Sequence, residues 1–169
     1  MKGKRSARLQ LYEQHKGIMF ALCLRYTQTR EEAEDVLQEG FLKVYRDLHQ
    51  YKPEAPLGAW IRKVMVNTAL ENIRKKKRRP QARDEEIAPW ENYTETDASE
   101  AMQAQDLMKL ISGLPEEYKL VFNLVAIEGF SHREVAEMLR ISESNSKVRL
   151  TRARAILREK VAALFEIER

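Results

Sequence analysis

Cysteine is almost missing from this chain: among 169 residues only Cys23 occurs. An internal disulfide is excluded, and a single thiol fits a reducing compartment. Cys23 lies among Phe20, Ala21, Leu22 and Leu24, the setting of a small core residue. Glycine is also scarce, at six residues, and with 33% charged residues this suits a mostly helical protein. No apolar run approaches the ~20 residues that a membrane-spanning helix needs, so no membrane insertion is expected. The N-terminal MKGKRSAR is basic, but the apolar run Ile18–Leu24 meets Arg25 at once without a cleavage-like sequel. That pattern argues against a secretory signal and for a cytoplasmic location. Internal repeats, a glycine-rich phosphate loop, Cys/His metal spacing and a nucleophile motif are all missing. The expectation is therefore a protein with no metal, no cofactor and no catalytic residue.

What the chain does have is apolar content of 43%, enough for one core or two small ones, and a net charge of +4. The total charge says less than its distribution, because positive charge comes in runs with one acidic stretch between them. The most informative stretch is SHREVAEMLRISESNSKVRLTRARAILR, Ser131 to Arg158. Ser131 with Glu134 three residues on forms a capping box, and Val135, Ala136 and Leu139 give the short helix an apolar face. Arg140, Ile141 and Ser142 make a turn, with Ser142 placed to cap a second helix. In that helix Ser146, Leu150, Ala153, Leu157, Val161 and Leu164 recur at steps of three and four on one stripe. Val148, Thr151, Arg152 and Ala155 fall opposite. Lys147, Arg154 and Arg158 line one flank and Arg149 the other. This is the outline of a helix-turn-helix whose second helix enters a DNA major groove; the plainer alternative is a helical hairpin with a solvated basic face.

Upstream, residues from about Ala7 to Tyr26 have helical spacing at Leu9, Tyr12, Met19 and Cys23, with Gly17 a potential weak point. Thr29 and Glu32 form a second capping box. The helix they start carries Ala33, Val36, Leu37, Phe41, Val44 and Leu48 on its apolar side and leaves Asp35, Gln38, Glu39, Lys43 and Arg46 outside. Asp35 and Glu39 have neither a histidine nor a metal-ligand companion, so a protein-binding surface suits them better than acid–base chemistry. His15, His49 and His132 each read as solvent-facing. Tyr51 to Gly58 is a loop with two prolines. From Ala59 a helix resumes with Trp60, Ile61, Val64, Met65 and Ala69, carries Arg62, Lys63 and Asn67, and ends in Arg74-Lys75-Lys76-Lys77-Arg78-Arg79. Such a run attracts phosphates, although many charge runs are merely solvated. Asp84 to Glu100 is acidic with no lysine or arginine, so it reads as a flexible linker, with Trp90 and Tyr93 available for docking. Beyond it, Met102, Leu107, Met108, Leu110 and Ile111 suit a helix stopped by Ser112-Gly113. Pro115 opens the next helix, which buries Leu120, Val121, Leu124 and Val125 and is closed by Gly129.

Two separated segments resemble one family, the bacterial sigma factors of the two-domain extracytoplasmic-function group. The first is EEAEDVLQEGFLKVYRDLHQY with AWIRKVMVNTALENIRKKKR; the second is GLPEEYKLVFNLVAIEGFSHREVAEMLRISESNSKVRLTRARAILR. The resemblance implies an all-α protein of two small helical domains: a sigma domain 2-like bundle over residues 1–79, an acidic linker over 80–100 and a sigma domain 4-like helix-turn-helix over 101–169. It implies a factor that directs core RNA polymerase to specific promoters and assists strand separation. Asp35, Gln38, Glu39 and Phe41 match the surface that grips polymerase. Lys52, Pro53, Glu54, Ala55, Pro56 and Leu57 match the loop that receives a base flipped from the single-stranded −10 element; Arg62, Lys63, Asn67 and Arg74 match the helix beside it. Lys147, Val148, Thr151 and Arg152 match positions facing base edges of the −35 duplex, while Ser144, Asn145, Arg149 and Arg154 match positions holding phosphates. An anti-sigma partner is implied as well. The chain departs from the family at Ser144-Asn145, where Gly-Thr is frequent, at the apolar Val148, and at Pro53 and Pro56. A stand-alone helix-turn-helix regulator and a helical adaptor that captures polymerase or a sigma factor are the alternatives.

Overall fold

The computed structural model describes the backbone of residues 2–78 and 106–167 and the side chains of residues 5–78 and 106–163. These residues contain helices and turns and no strand, the all-α class expected. They belong to two compact units, Met1–Ala88 and Pro89–Arg169. The acidic stretch read as a linker, with Trp90 and Tyr93, lies outside the described residues, as do Met102 and the side chain of Leu164.

The first unit contains α1 (Lys2–Leu24), α2 (Arg30–Asp47), a 3-10 turn (Leu48–Gln50) and α3 (Leu57–Arg78). Each helix contributes one apolar side to a common interior: Met19, Leu22 and Cys23 from α1, Ala33, Val36, Leu37, Phe41 and Val44 from α2, and Ile61, Met65, Val66, Ala69 and Leu70 from α3. Burying each large aliphatic side chain is worth about 1.5–3 kcal/mol, so this shared core holds the three helices together. Burial also pushes the Cys23 thiol up to about 12, with desolvation as the main cause, which keeps it a protonated packing group. Gly17 does not interrupt α1, because the helix runs straight through it. Leu9 and Leu48, expected to pack inward, are instead exposed near the ends of their segments.

The caps show how local chemistry sets the helix starts. Thr29 Oγ1 accepts the Glu32 N–H at 3.2 Å, as its position predicts. The reciprocal half of the expected box differs: Glu32 Oε2 accepts the Gln28 N–H at 3.1 Å, and Oε1 takes the Lys76 ammonium. Glu32 thus serves both the start of α2 and the basic end of α3.

The second unit contains α4 (106–112), α5 (Glu116–Phe122), a π-helical turn (Asn123–Ile127), α6 (His132–Leu139) and α7 (Glu143–Ile167). Ile111, Leu114, Ala153 and Leu157 form one buried cluster, walled by Met108, Leu110, Tyr118, Phe122 and Ile156. Val121, Leu124 and Val135 are also fully buried. Gly113 ends α4, and Lys160 from α7 donates to its carbonyl at 3.0 Å, satisfying one of the orphan acceptors at that helix end. Pro115 stands at the N-cap of α5, one residue before the position expected for it. The π-helical turn was not foreshadowed by the sequence; it brings the polar Asn123 into the interior before Gly129, at φ +79, redirects the chain.

Candidate nucleic-acid and partner interfaces

In the second unit the turn between α6 and α7 is built from the expected caps. Ser131 Oγ accepts the Glu134 N–H at 3.3 Å, and Glu134 Oε2 accepts the Ser131 N–H at 2.9 Å. Arg140 takes the left-handed conformation, φ 56 and ψ 47, which lets the Ile141 N–H reach back to the Ala136 carbonyl at 3.0 Å. A non-glycine residue spends about 1–2 kcal/mol in that conformation. Ser142 Oγ then accepts the Asn145 N–H at 3.1 Å and starts α7. Where α6 and α7 cross, Ser146 is fully buried and its Oγ lies 2.9 Å from His132 Nδ1. His132 is therefore half-buried and hydrogen-bonded, not solvent-facing as its sequence context suggested. Its partner explains a serine in an otherwise apolar stripe, since a buried hydroxyl needs a hydrogen bond.

The opposite side of α7 presents Ser144, Asn145, Lys147, Val148, Thr151, Arg152, Arg154 and Ala155 to solvent. Several of its cations are engaged inside the unit. Lys147 pairs with Glu143 at 2.7 Å, Arg152 Nη1 donates to the Tyr118 hydroxyl at 3.3 Å, and Arg149 Nη2 meets Glu117 at 3.0 Å. The Arg149 side chain is 22% exposed, so it is drawn against α5 instead of standing out as a ready phosphate ligand. Glu117 and Tyr118 were missed by sequence reasoning. They lie on another helix, and helical periodicity relates only residues of the same helix.

In the first unit, the outer face of α2 exposes Asp35 and Gln38. Glu39 is only partly available: it bridges Lys43 at 3.0 Å and Lys75 at 3.5 Å, while Lys43 also meets Glu71 at 2.7 Å. The hydrogen bond from Lys43, helped by Lys75, holds the Glu39 carboxyl below its ordinary range despite some desolvation. Phe41 is a correction. It is buried, edge-on to Tyr12 at 4.8 Å, because its place on the helix belongs to the core stripe. The apolar group on the outer face is instead Leu42, one turn beyond Gln38 and 68% exposed.

The loop after the 3-10 turn exposes Lys52, Pro53, Glu54, Ala55 and Pro56. Tyr51 closes it by donating its hydroxyl to the Ala55 carbonyl at 2.6 Å, and the Tyr51 ring lies 5.8 Å from that of Trp60. The Pro56 carbonyl accepts the Ala59 N–H at 2.9 Å, so α3 starts at Leu57; Leu57 and Gly58 are helical, not loop residues. His15 of α1 lies beside Gly58, near enough that a Cβ there would sit 3.5 Å from its Cε1. It is a half-buried buttress of α3, a second correction to the solvent-facing assignment. Lys63 and Asn67 are exposed on α3, whereas Arg62 and Arg74 are half-buried and engaged. Among the described residues no group of three or more His, Cys, Asp or Glu side chains could hold a metal ion, and no helix is long and apolar enough to cross a membrane.

Comparison with known proteins matches both units. Residues 11–79 match the family model for Sigma-70 region 2, and residues 104–157 that for Sigma-70, region 4. The chain is 29% identical over 155 residues to the ECF RNA polymerase sigma factor SigM of Mycobacterium tuberculosis, covering 92% of this chain and 77% of that protein. It is 28% identical over 174 residues to the ECF RNA polymerase sigma-E factor of Haemophilus influenzae, covering 96% and 92%. Among solved structures, the sigma factor RpoE of Bartonella quintana, crystallised with the anti-sigma factor NepR, superposes with a TM-score of 0.67 at 20% identity over 95% of this chain and 97% of that one. CnrH, solved with the cytosolic domain of CnrY, gives a TM-score of 0.55 at 22% identity over 96% and 92%. With a capped helix-turn-helix in one unit, a three-helix bundle in the other, and both matched in the same order, the chain belongs to the extracytoplasmic-function RNA polymerase sigma factors.

Proposed function

We propose that the two units divide the work of promoter recognition between closed and open DNA. The outer face of α2, with Asp35, Gln38, the partly engaged Glu39 and the newly placed Leu42, docks on core RNA polymerase. The Tyr51–Pro56 loop with Lys63 and Asn67 receives unpaired bases of the −10 element; unstacking a base costs a few kcal/mol, and a loop held shut by Tyr51 is a prepared receiver for it. The exposed side of α7 reads the −35 duplex, with Lys147, Val148, Thr151 and Arg152 toward base edges and Ser144, Asn145 and Arg154 toward phosphates. Val148 suits a thymine methyl. The protein acts without chemistry of its own, since nucleotide transfer belongs to the polymerase, and it works in the cytoplasm. An anti-sigma protein that covers these faces completes the scheme, in line with the anti-sigma factor NepR bound to RpoE.

The observation that carries this proposal is the exposure of the reading side of α7 opposite the buried stripe of Ser146, Leu150, Ala153 and Leu157. It is tested by transcription with core polymerase and a promoter recovered by sequencing the DNA that the assembled holoenzyme retains. Added promoter-specific initiation is expected; none would refute it. Within that assay Arg152→Ala is expected to lose about 1–3 kcal/mol of discrimination at one −35 base pair, if tested against every substitution there. A uniform loss over all sequences would instead make Arg152 a phosphate contact.

A further inference from the structure

The ion pair between Arg149 and Glu117 joins two helices and has consequences for the DNA surface. Arg149 follows Val148 and precedes Thr151 on α7, at the edge of the exposed reading side. Its guanidinium is 3.0 Å from the Glu117 carboxylate of α5 and its side chain is largely covered, while Glu117 is half exposed. Lys147 has a carboxylate partner too, but Glu143 lies one turn away on the same exposed helix surface, where such pairs are worth only a few tenths of a kcal/mol. The Glu117 pair is different in kind, because it turns the side chain away from the reading side and toward another helix.

We infer that Glu117 is a positioning residue that restrains backbone binding: it withholds Arg149 from DNA phosphates and so lowers the sequence-independent share of duplex affinity. This rests on the assignment of α7 to the −35 duplex. Each cation that neutralises a phosphate releases counterions and steepens the salt dependence of binding by about 0.9 in log–log slope. A carboxylate that keeps one arginine occupied removes one such increment. The effect falls equally on matched and mismatched sequences, because phosphates carry no base identity. For a factor that must reject nearly all of a chromosome, weaker backbone binding limits the time spent at wrong sites.

The test measures binding of the full-length chain to mixed-sequence duplex DNA as salt rises from about 50 to about 200 mM. Glu117→Gln keeps the shape of the side chain and removes its charge. It is expected to bind more tightly at low salt and to lose about threefold more affinity across that range than the wild type, which corresponds to one added phosphate contact. The double variant Glu117→Gln with Arg149→Gln is expected to return to the wild-type slope. Unchanged binding by Glu117→Gln overturns the inference, and so does a gain that persists in the double variant, since Arg149 would then not be its source. Arg154→Gln serves as the separate check on α7. If it leaves the wild-type slope unchanged, the assignment of α7 to duplex DNA fails and the inference falls with it. If it flattens the slope while Glu117→Gln does nothing, only the inference is lost. Thermal melting of each variant identifies one that does not fold; should Glu117→Gln melt early, Glu117→Ser with the same salt series takes its place.

Discussion

Asp35→Arg is expected to weaken association with core polymerase about 10- to 100-fold, or roughly 1.4–2.8 kcal/mol, and to leave duplex DNA binding unchanged. Asp35 is exposed on the outer face of α2, and Gln38 and Leu42 continue the same face by one and two turns. On the proposed docking face this carboxylate would meet a basic or hydrogen-bonding partner surface. Replacing it with arginine turns attraction into repulsion, and like charges brought together across an interface cost several kcal/mol when they cannot separate. Because the side chain touches nothing in the core, folding should be indifferent to the change. Titration of labelled variant against core polymerase measures the effect; wild-type affinity would remove Asp35 from the docking face.

The largest effect on stability is expected at Gly40, on the inner side of the same helix. A Cβ built there would lie 2.2 Å from Met65 Sδ and 2.9 Å from its Cε, well inside any real contact. Methionine is adaptable, but Met65 is fully buried between α2 and α3 and its movement must displace other core atoms. Gly40→Val should therefore cost about 1–3 kcal/mol from overpacking, more than the few tenths that valine gains over glycine in helix propensity. Combining it with Met65→Ala creates room and should recover much of the valine penalty, so that the two changes are strongly non-additive. Chemical denaturation of the four proteins in the cycle gives the answer. Simple additivity would mean that the close approach of α2 to α3 at this point does not limit packing.

Much of this architecture was legible because its signals are local. Ser131 with Glu134, Thr29 and Ser142 announce helix starts through hydrogen bonds that reach only one turn. The α7 stripe from Ser146 to Leu157 follows from spacing alone. What stayed hidden depends on neighbours distant in the chain. His15 reads as solvated until α3 is placed beside it, and His132 until Ser146 arrives from α7. Arg149 looks like any flanking cation until α5 brings Glu117 to it. Phe41 and Leu42 make the point most sharply: adjacent residues must face apart on a helix, periodicity places Phe41 inside, and assigning Phe41 to an outer surface by resemblance conflicted with that geometry. The π-helical turn at Asn123–Ile127 has no spacing signature at all in so short a segment.

The charge lattice between α2 and α3 couples two tasks. Glu39 grips Lys75 as well as Lys43, Lys43 reaches Glu71, and Glu32 takes Lys76, so the far end of α3 is moored to the helix whose outer face is proposed to dock on polymerase. On the proposed assignment, capture of that helix by polymerase would also set the bearing of the track along which the melted strand runs. Docking and strand handling, as proposed, would then share one chassis in this unit, and a lesion in the moorings should disturb both at once.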